Sequence, residues 1–380
     1  MKETPEALSQ PKTLESFSEP EALAALKEAG VENVLAAFRI DAENGADGQP
    51  IAGADIYWVK FAVPVEAKDT PCALDVEGKV YLPKRWNGET VVFSPGFPGG
   101  NAGRFEKLYV QAFLDAGYSF ATSRHNGASL TNGETSLDIL NSKKRMDIAH
   151  DAGEHHIGGT RPEGYGPSQM IYEPINVVCA LAKRSKKLHL MGQSMGVASS
   201  YSTLTELAPH PEITSKIGNV VGISGYVGDT SEAPDGIWSG MKQNFSVTAA
   251  YEAGYMERVD LNAPRDGAWF AQQLKMVAAQ NERMVIPPHV GNVLVYTPDD
   301  PLIAGPNRDE NDSVKRYGPQ SSRKLIVEDR TIPEEHRKKA HSMLWIAPPN
   351  IVRAVQAKVS EHGPHFVRFP KDNTGLVQKS

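Results

Sequence analysis

From residue 54 onward the apolar positions of the chain fall into two rhythms that alternate. "ADIYWVKFAVPVEA" (54–67) and "CALDVEGKVYLP" (72–83) show partial alternation rich in β-branched and aromatic residues, as antiparallel edge strands do. "TVVFSPG" (90–96) is a third strand. Phe105, Leu108, Tyr109, Ala112, Phe113 and Ala116 then recur at helical spacing and stop at Gly117. "YSFATSR" reads as a strand, Ile171, Ile175, Val178 and Ala182 as a helix face, and "KLHLMG" as a strand again. Val197, Tyr201, Leu204 and Ala208 mark the next helix. "IGNVVGISG" (217–225), "GNVLVYT" (291–297) and "RKLIVED" (323–329) are strands, and "NIVRAVQAKVSEHG" closes with a helix led in by Pro348-Pro349 and ended at Gly363.

Strands that alternate with helices pair in parallel through right-handed crossovers. Runs such as "VVGIS" and "VLVY" are apolar on both faces, which suits central strands covered by helices on each side. The expected fold class is therefore α/β, with a mostly parallel central sheet flanked by helices. Two intervals depart from the rhythm. Residues 1–53 read as a short amphipathic helical appendage. Residues 226–290, after the sixth predicted strand, are too long for a simple loop and carry Tyr226, Trp238, Phe245, Tyr251, Tyr255, Trp269 and Phe270. They read as a cap inserted into a core made of 54–225 and 291–380.

The stretch "LHLMGQSMGVASS" (188–200) carries the strongest chemical signal. An apolar strand runs into Gly-x-Ser-x-Gly and then straight into a helix. A chain bent that sharply strains its backbone, and Gly192 and Gly196 remove the clashes on either side. Ser194 would then stand exposed at the bend, with free N–H groups of the following helix aimed at the same place. The N–H of Met195, the next residue, can serve a developing oxyanion.

With that motif the chain resembles the α/β-hydrolase superfamily, esterase- and lipase-like serine hydrolases among them. The resemblance spans about residues 54–363. It rests on "MGQSMG", "VVFSPGFPGG", "VLVYTPDDPLI" and "AHSML", in the order nucleophile, acid, histidine. It implies the α/β-hydrolase fold with a cap after the sixth strand, where 226–290 falls. It also implies a base near the C-terminus: His341 in "KKAHSMLW", with His336 in the charge-dense "PEEHRKK" as the rival. The family's acid is followed by one residue and then two apolar ones, which favours Asp300 in "DDPLI" over its neighbour Asp299. The second oxyanion donor would be the N–H of Phe97 in "SPGFPGG". Here the chain departs from the family, which commonly has His before that glycine where this sequence has Pro95.

Such a Ser194–His341–Asp300 triad would cleave a carboxylic ester through an acyl-enzyme. An acyltransferase, thioesterase or peptidase would use the same residues, and a non-catalytic ligand-binding protein on the same fold is the rival of another class. His125 and Asn126, just past the fourth strand, and Trp238 and Trp269 in the insertion are candidates for substrate contact. The substrate is expected to be a small or medium ester, with no cofactor.

Composition narrows the rest. Among 380 residues the formal net charge is −6 and no Lys/Arg block stands out, so a nucleic-acid partner is not expected. "KRSKK" (183–187) reads as a solvated helix end. No run approaches the ~18 apolar residues of a membrane span, and the polar start lacks a signal-peptide core. The two cysteines, Cys72 and Cys179, make no disulfide framework. A cytoplasmic protein is the expectation. "HDAGEHH" (150–156) gathers His150, Asp151, Glu154, His155 and His156. Its spacing and Gly-rich neighbours suit a polar loop better than a metal site, and none is expected. No phosphate-cradling glycine motif appears.

Overall fold

The computed structural model describes residues 18–45, 47–71, 74–96, 102–125, 166–225, 286–296, 323–329, 348–359, 365–369 and 377–378, together with 272–273, 276–277, 279–280, 284 and 361. Its strands are β1 (Val34–Ile40), β2 (Ala54–Phe61), β3 (Val76–Pro83), β4 (Glu89–Ser94), β5 (Ser119–Arg124), β6 (Lys187–Gln193), β7 (Ile217–Ile223), β8 (Gly291–Tyr296), β9 (Lys324–Asp329), β10 (His365–Phe369) and β11 (Val377–Gln378). The helices are α1 (Pro20–Glu28), α2 (Ala102–Asp115), α3 (Pro167–Met170), α4 (Pro174–Ala182), α5 (Met195–Glu206), α6 (Pro211–Thr214) and α7 (Pro348–Val355).

The described strands form one eleven-stranded sheet in the order β1-β2-β3-β5-β4-β6-β7-β8-β9-β10-β11. From β5 to β10 every neighbouring pair is parallel. The β1-β2-β3-β5 side and the β10-β11 edge are antiparallel. Alternation of side chains across the pleat divides the core in two. Val92, Leu190, Val220 and Leu294 join α1, α4 and α5 on one face. Val91, Phe93, Met191, Val221, Ile223, Val293 and Val295 join α2 and α7 on the other. The result is a mixed α/β sheet with helices on both faces. On the second face Phe93 stacks on Phe120 (centroids 6.2 Å apart) and meets Tyr109 edge-on (6.3 Å), which anchors β4 against β5 and α2.

Several elements differ from the sequence reading. The segment 1–53 does contain a helix, with Pro20 in its first turn, Glu21 and Lys27 suited to the dipole, and Gly30 at φ 78° just beyond its end. It is not only a helical appendage, because β1 pairs with β2 from Val34↔Phe61 to Ile40↔Ile56 and extends the sheet. Its apolar run follows a helix so closely that it reads as part of one amphipathic piece. The strand before residue 226 is consequently β7, not the sixth. The closing helix, expected to reach Gly363, ends at Val355. There the Asn219 side-chain amide donates to the carbonyls of Val355 (2.6 Å) and Ala357 (3.0 Å) and takes over acceptors that another helical turn would use. Of the expected cap, Val277, Met284, Ile286 and Val290 lie in the core cluster with α4 and α5. Most of 226–290, including Trp238 and Trp269, lies outside the described residues. Cys179 is a free, buried thiol that burial pushes up, as a small core hydrophobe should be. No described helix is long and apolar enough to cross a membrane.

At the far end of β6 a buried histidine gives the fold a pH dependence. Asn219 N–H donates to His189 Nδ1 (3.2 Å), so in this arrangement Nε2 carries the proton and donates to Glu89 Oε2 (3.0 Å). Burial lowers the His189 pKa from its ordinary 6.5, even against the pull of Glu89. A histidine depressed in the folded state takes up its proton first in the unfolded chain. Stability is therefore unaffected above about pH 6.5 and falls as pH drops below it. Thermal melts between pH 8 and 5 should show the melting temperature falling below about 6.5. His189→Gln should flatten that slope; an unchanged slope would contradict the assignment.

Candidate active site

β6 delivers its chain end next to β4 and β7, and there the backbone turns. Ser194 follows β6 directly and is the N-cap of α5, with φ 53° and ψ −122°. That conformation costs a non-glycine residue on the order of 1–3 kcal/mol and persists only where the surroundings impose it. The imposing contacts are visible. Ser194 N–H donates to the Ile223 carbonyl (2.9 Å), and its own carbonyl accepts from Val197 N–H (3.1 Å) at the start of α5. Ser224 N–H, one strand over, donates to the Val295 carbonyl (2.8 Å), so the ends of β6, β7 and β8 are laced together.

The two motif glycines are dictated by space. A Cβ on Gly192 would lie 2.0 Å from the Gly196 carbonyl oxygen, and one on Gly196 would lie 2.0 Å from the Ser94 carbonyl oxygen. Both obstacles are backbone, which no rotamer change can relieve. Gly196→Ala should therefore destabilise the fold by about 3 kcal/mol, read as an earlier urea midpoint. A midpoint within error of the parent would mean the helix does not pack on β4 as closely as described.

Through residues 191–200 every residue is buried except Ser194, which is partly exposed. A partly exposed side chain flanked on both sides by buried ones is the arrangement a nucleophile needs. Met195 is the first residue of α5, and its N–H belongs to the set of helix-start donors that have no acceptor within the helix. Gly96, just past β4, closes the other side: a Cβ there would come 2.9 Å from Ser194 Cβ. Among the described residues, the Gln193 Oε1 beside it is buried and has no hydrogen-bond partner.

His125 differs most from its expected part. It is fully buried. Its Nδ1 meets Glu173 Oε2 (2.5 Å) and its Nε2–H donates to the Pro95 carbonyl (3.2 Å), which leaves neither ring nitrogen for a substrate. Sequence reasoning missed Glu173 altogether. The only hint was "YEPIN", a carboxylate immediately before Pro174 at the start of an apolar helix, and that ordinarily reads as a solvated helix start. Phe97, Asn126, Trp238, Trp269, Asp299, Asp300, His336 and His341 lie outside the described residues, as does 150–156. Elsewhere Glu66, His210 and Glu212 bring one ligand atom each within 4.8 Å of one another. Surface acids commonly do so without an ion, and nothing more marks the spot.

No protein-family model matches the chain, and no curated protein matches it in sequence. Solved structures similar to it include esterases and lipases. A rice cell-wall-degrading esterase, LipA from Xanthomonas oryzae, is 12% identical with a TM-score of 0.49 over 84% of this chain and 97% of its own. Candida antarctica lipase A in its closed state is 13% identical at 0.46, over 92% and 88%. A hyperthermophilic esterase from Pyrobaculum calidifontis is 14% identical at 0.43, over 90% and 91%. The fold itself is defined by the strand order of its sheet and by the turn at Ser194.

Proposed function

We propose that the protein is a serine hydrolase that cleaves a carboxylic ester of a small or medium substrate through an acyl-enzyme. The observation that carries this is the backbone at Ser194. A strained, partly exposed serine stands between a buried strand and the start of a helix, and glycines at 192 and 196 have no room for a side chain. Asn33 and Ser224 also have positive φ, but Ser194 joins it to partial exposure at a strand–helix junction between two glycines with no room for a side chain, as a nucleophile lifted clear of the sheet requires.

In the proposed reaction Ser194 Oγ attacks the acyl carbon while His341 takes its proton. Asp300 orients the imidazole and stabilises its charged form. The N–H groups of Met195 and Phe97 bind the oxyanion, a contribution on the order of 3 kcal/mol for each donor at the transition state. His341 returns the proton to the departing alcohol, and water then attacks the acyl group by the reverse sequence. No cofactor enters these steps. The aromatic residues of 226–290 would enclose the acyl group, with Trp238, Trp269 and Asn126 as candidate contacts.

Hydrolysis of a p-nitrophenyl ester series from acetate to palmitate tests the reading. Saturable turnover with a preference for the shorter acyl chains is expected. Turnover that becomes fast only when an alcohol is added would make the protein an acyltransferase. Folded protein with no turnover on any member, with or without that acceptor, would favour the binding-protein alternative.

A further inference from the structure

The chain has Pro95 where the resembling family commonly has a histidine, and the structure supplies a histidine from another strand. β4 and β5 run in parallel with Phe93 opposite Thr122, and the same offset sets His125 level with Gly96. From there the His125 ring reaches the Pro95 carbonyl with Nε2 and Glu173 with Nδ1, all of it buried. Glu173 comes from the turn that starts α4, so three separate elements converge on one imidazole.

The chemistry of this contact is constrained. A carbonyl oxygen only accepts, so Nε2 must carry a hydrogen. The short contact of Nδ1 with Glu173 Oε2 on the other side of the ring holds the imidazole in one orientation.

What it holds is the peptide next to the nucleophile. Pro95 has its φ fixed by its own ring. Its ψ is the free variable, and the hydrogen bond from His125 to its carbonyl fixes that. The Pro95 oxygen would also lie 2.7 Å from a Cβ on Gly196, and a Cβ on Gly96 would lie 2.9 Å from Ser194 Cβ, so this peptide packs against both ends of the elbow. Gly96 is the permissive residue in between. Beyond it in sequence comes Phe97, whose N–H is the proposed second oxyanion donor.

We propose that His125, oriented by Glu173, is a positioning residue that locks the Pro95–Gly96 peptide against Ser194 and so sets the direction of the chain that carries the second oxyanion donor. The proposal rests on the reading of Ser194 as the nucleophile. It predicts a defect in the transition state and not in substrate binding, because the peptide matters for the oxyanion that forms during reaction.

Asparagine and glutamine separate the two halves of the imidazole. Asn at 125 can keep the bond to Glu173 but falls short of Pro95; Gln can reach the Pro95 carbonyl. The experiment measures kcat and KM on a short p-nitrophenyl ester, with fluorophosphonate labelling of Ser194 followed by mass. His125→Asn should lower kcat roughly 30- to 1,000-fold with KM within about threefold, and Ser194 should still label, only more slowly. His125→Gln should recover kcat to within about tenfold of the parent. Parent-like kcat in folded His125→Asn, or equal losses in both variants, would overturn the positioning role while leaving Ser194 labelling intact. If His125→Asn does not fold, His125→Gln decides alone: kcat within about tenfold supports the proposal, and a loss beyond about a hundredfold in folded protein overturns it. A parent protein that resists the fluorophosphonate altogether marks failure of the nucleophile reading instead.

Discussion

Ser194→Ala is expected to lower ester turnover by about 10⁴- to 10⁶-fold while leaving the protein folded. The loss is large because in the proposed reaction the hydroxyl forms the bond to the acyl carbon, and no other described side chain shares its place at the end of β6. The fold should survive, since alanine keeps the backbone bonds of residue 194, the N–H to Ile223 and the carbonyl to Val197. Alanine faces the same φ of 53° as serine and adds no atom to the turn. The melting temperature should therefore stay within a few degrees of the parent's. Kinetics on a p-nitrophenyl ester beside a thermal melt read both halves. Residual turnover within about tenfold of the parent in the folded variant would mean that another residue attacks the ester.

The second large effect belongs to the base. His341→Ala should cost about 10⁴-fold or more in kcat, because without a base the serine hydroxyl is a poor nucleophile at neutral pH. His336→Ala, in a run of charged residues five positions earlier, should leave kcat within about threefold. The same contrast holds for the acid: Asp300→Asn should lower kcat by about 10⁴-fold and Asp299→Asn by far less. All four variants can be assayed on one substrate at one pH, with circular dichroism to establish folding. If His336→Ala is the variant that loses turnover, the base was assigned to the wrong histidine. If neither histidine matters, the triad reading fails even where Ser194 reacts.

Much of the fold was legible because its central strands obey a simple rule. β6, β7 and β8 are covered on both faces, so "KLHLMG", "VVGIS" and "VLVY" are continuous apolar runs bounded by turns. The elbow was legible for a steric reason. Gly196 is what packing against the Ser94 carbonyl requires, Gly192 is what packing against the Gly196 carbonyl requires, and the motif states both requirements in five letters. β1 was not legible as a strand, since "VLAAFRI" has no strict alternation and its pairing with β2 is a tertiary fact. The end of α7 was hidden for a similar reason. Asn219, well over a hundred residues earlier, supplies the amide that caps it.

Within the site, local sequence could place only what the elbow itself dictates. Ser194 and Met195 follow from their positions at a strand–helix junction. His125 was visible as a polar residue at a strand end, a description equally true of a substrate contact and of a buried brace. The carboxylate at position 173 decides between them, and it lies on another element, 48 residues away. No periodicity or motif joins the two. Only the parallel pairing of β4 with β5 and the docking of α4 brings them together.

The claim on which the rest depends is that the hydroxyl at position 194 is lifted clear and activated. The most direct measurement is to treat the folded protein with a fluorophosphonate, digest it, and locate the adduct by mass spectrometry. The account predicts one adduct per chain, on Ser194, absent from Ser194→Ala and formed far more slowly in His341→Ala. An adduct on another residue, or folded protein that stays unlabelled while a known serine esterase in the same tube reacts, would contradict it.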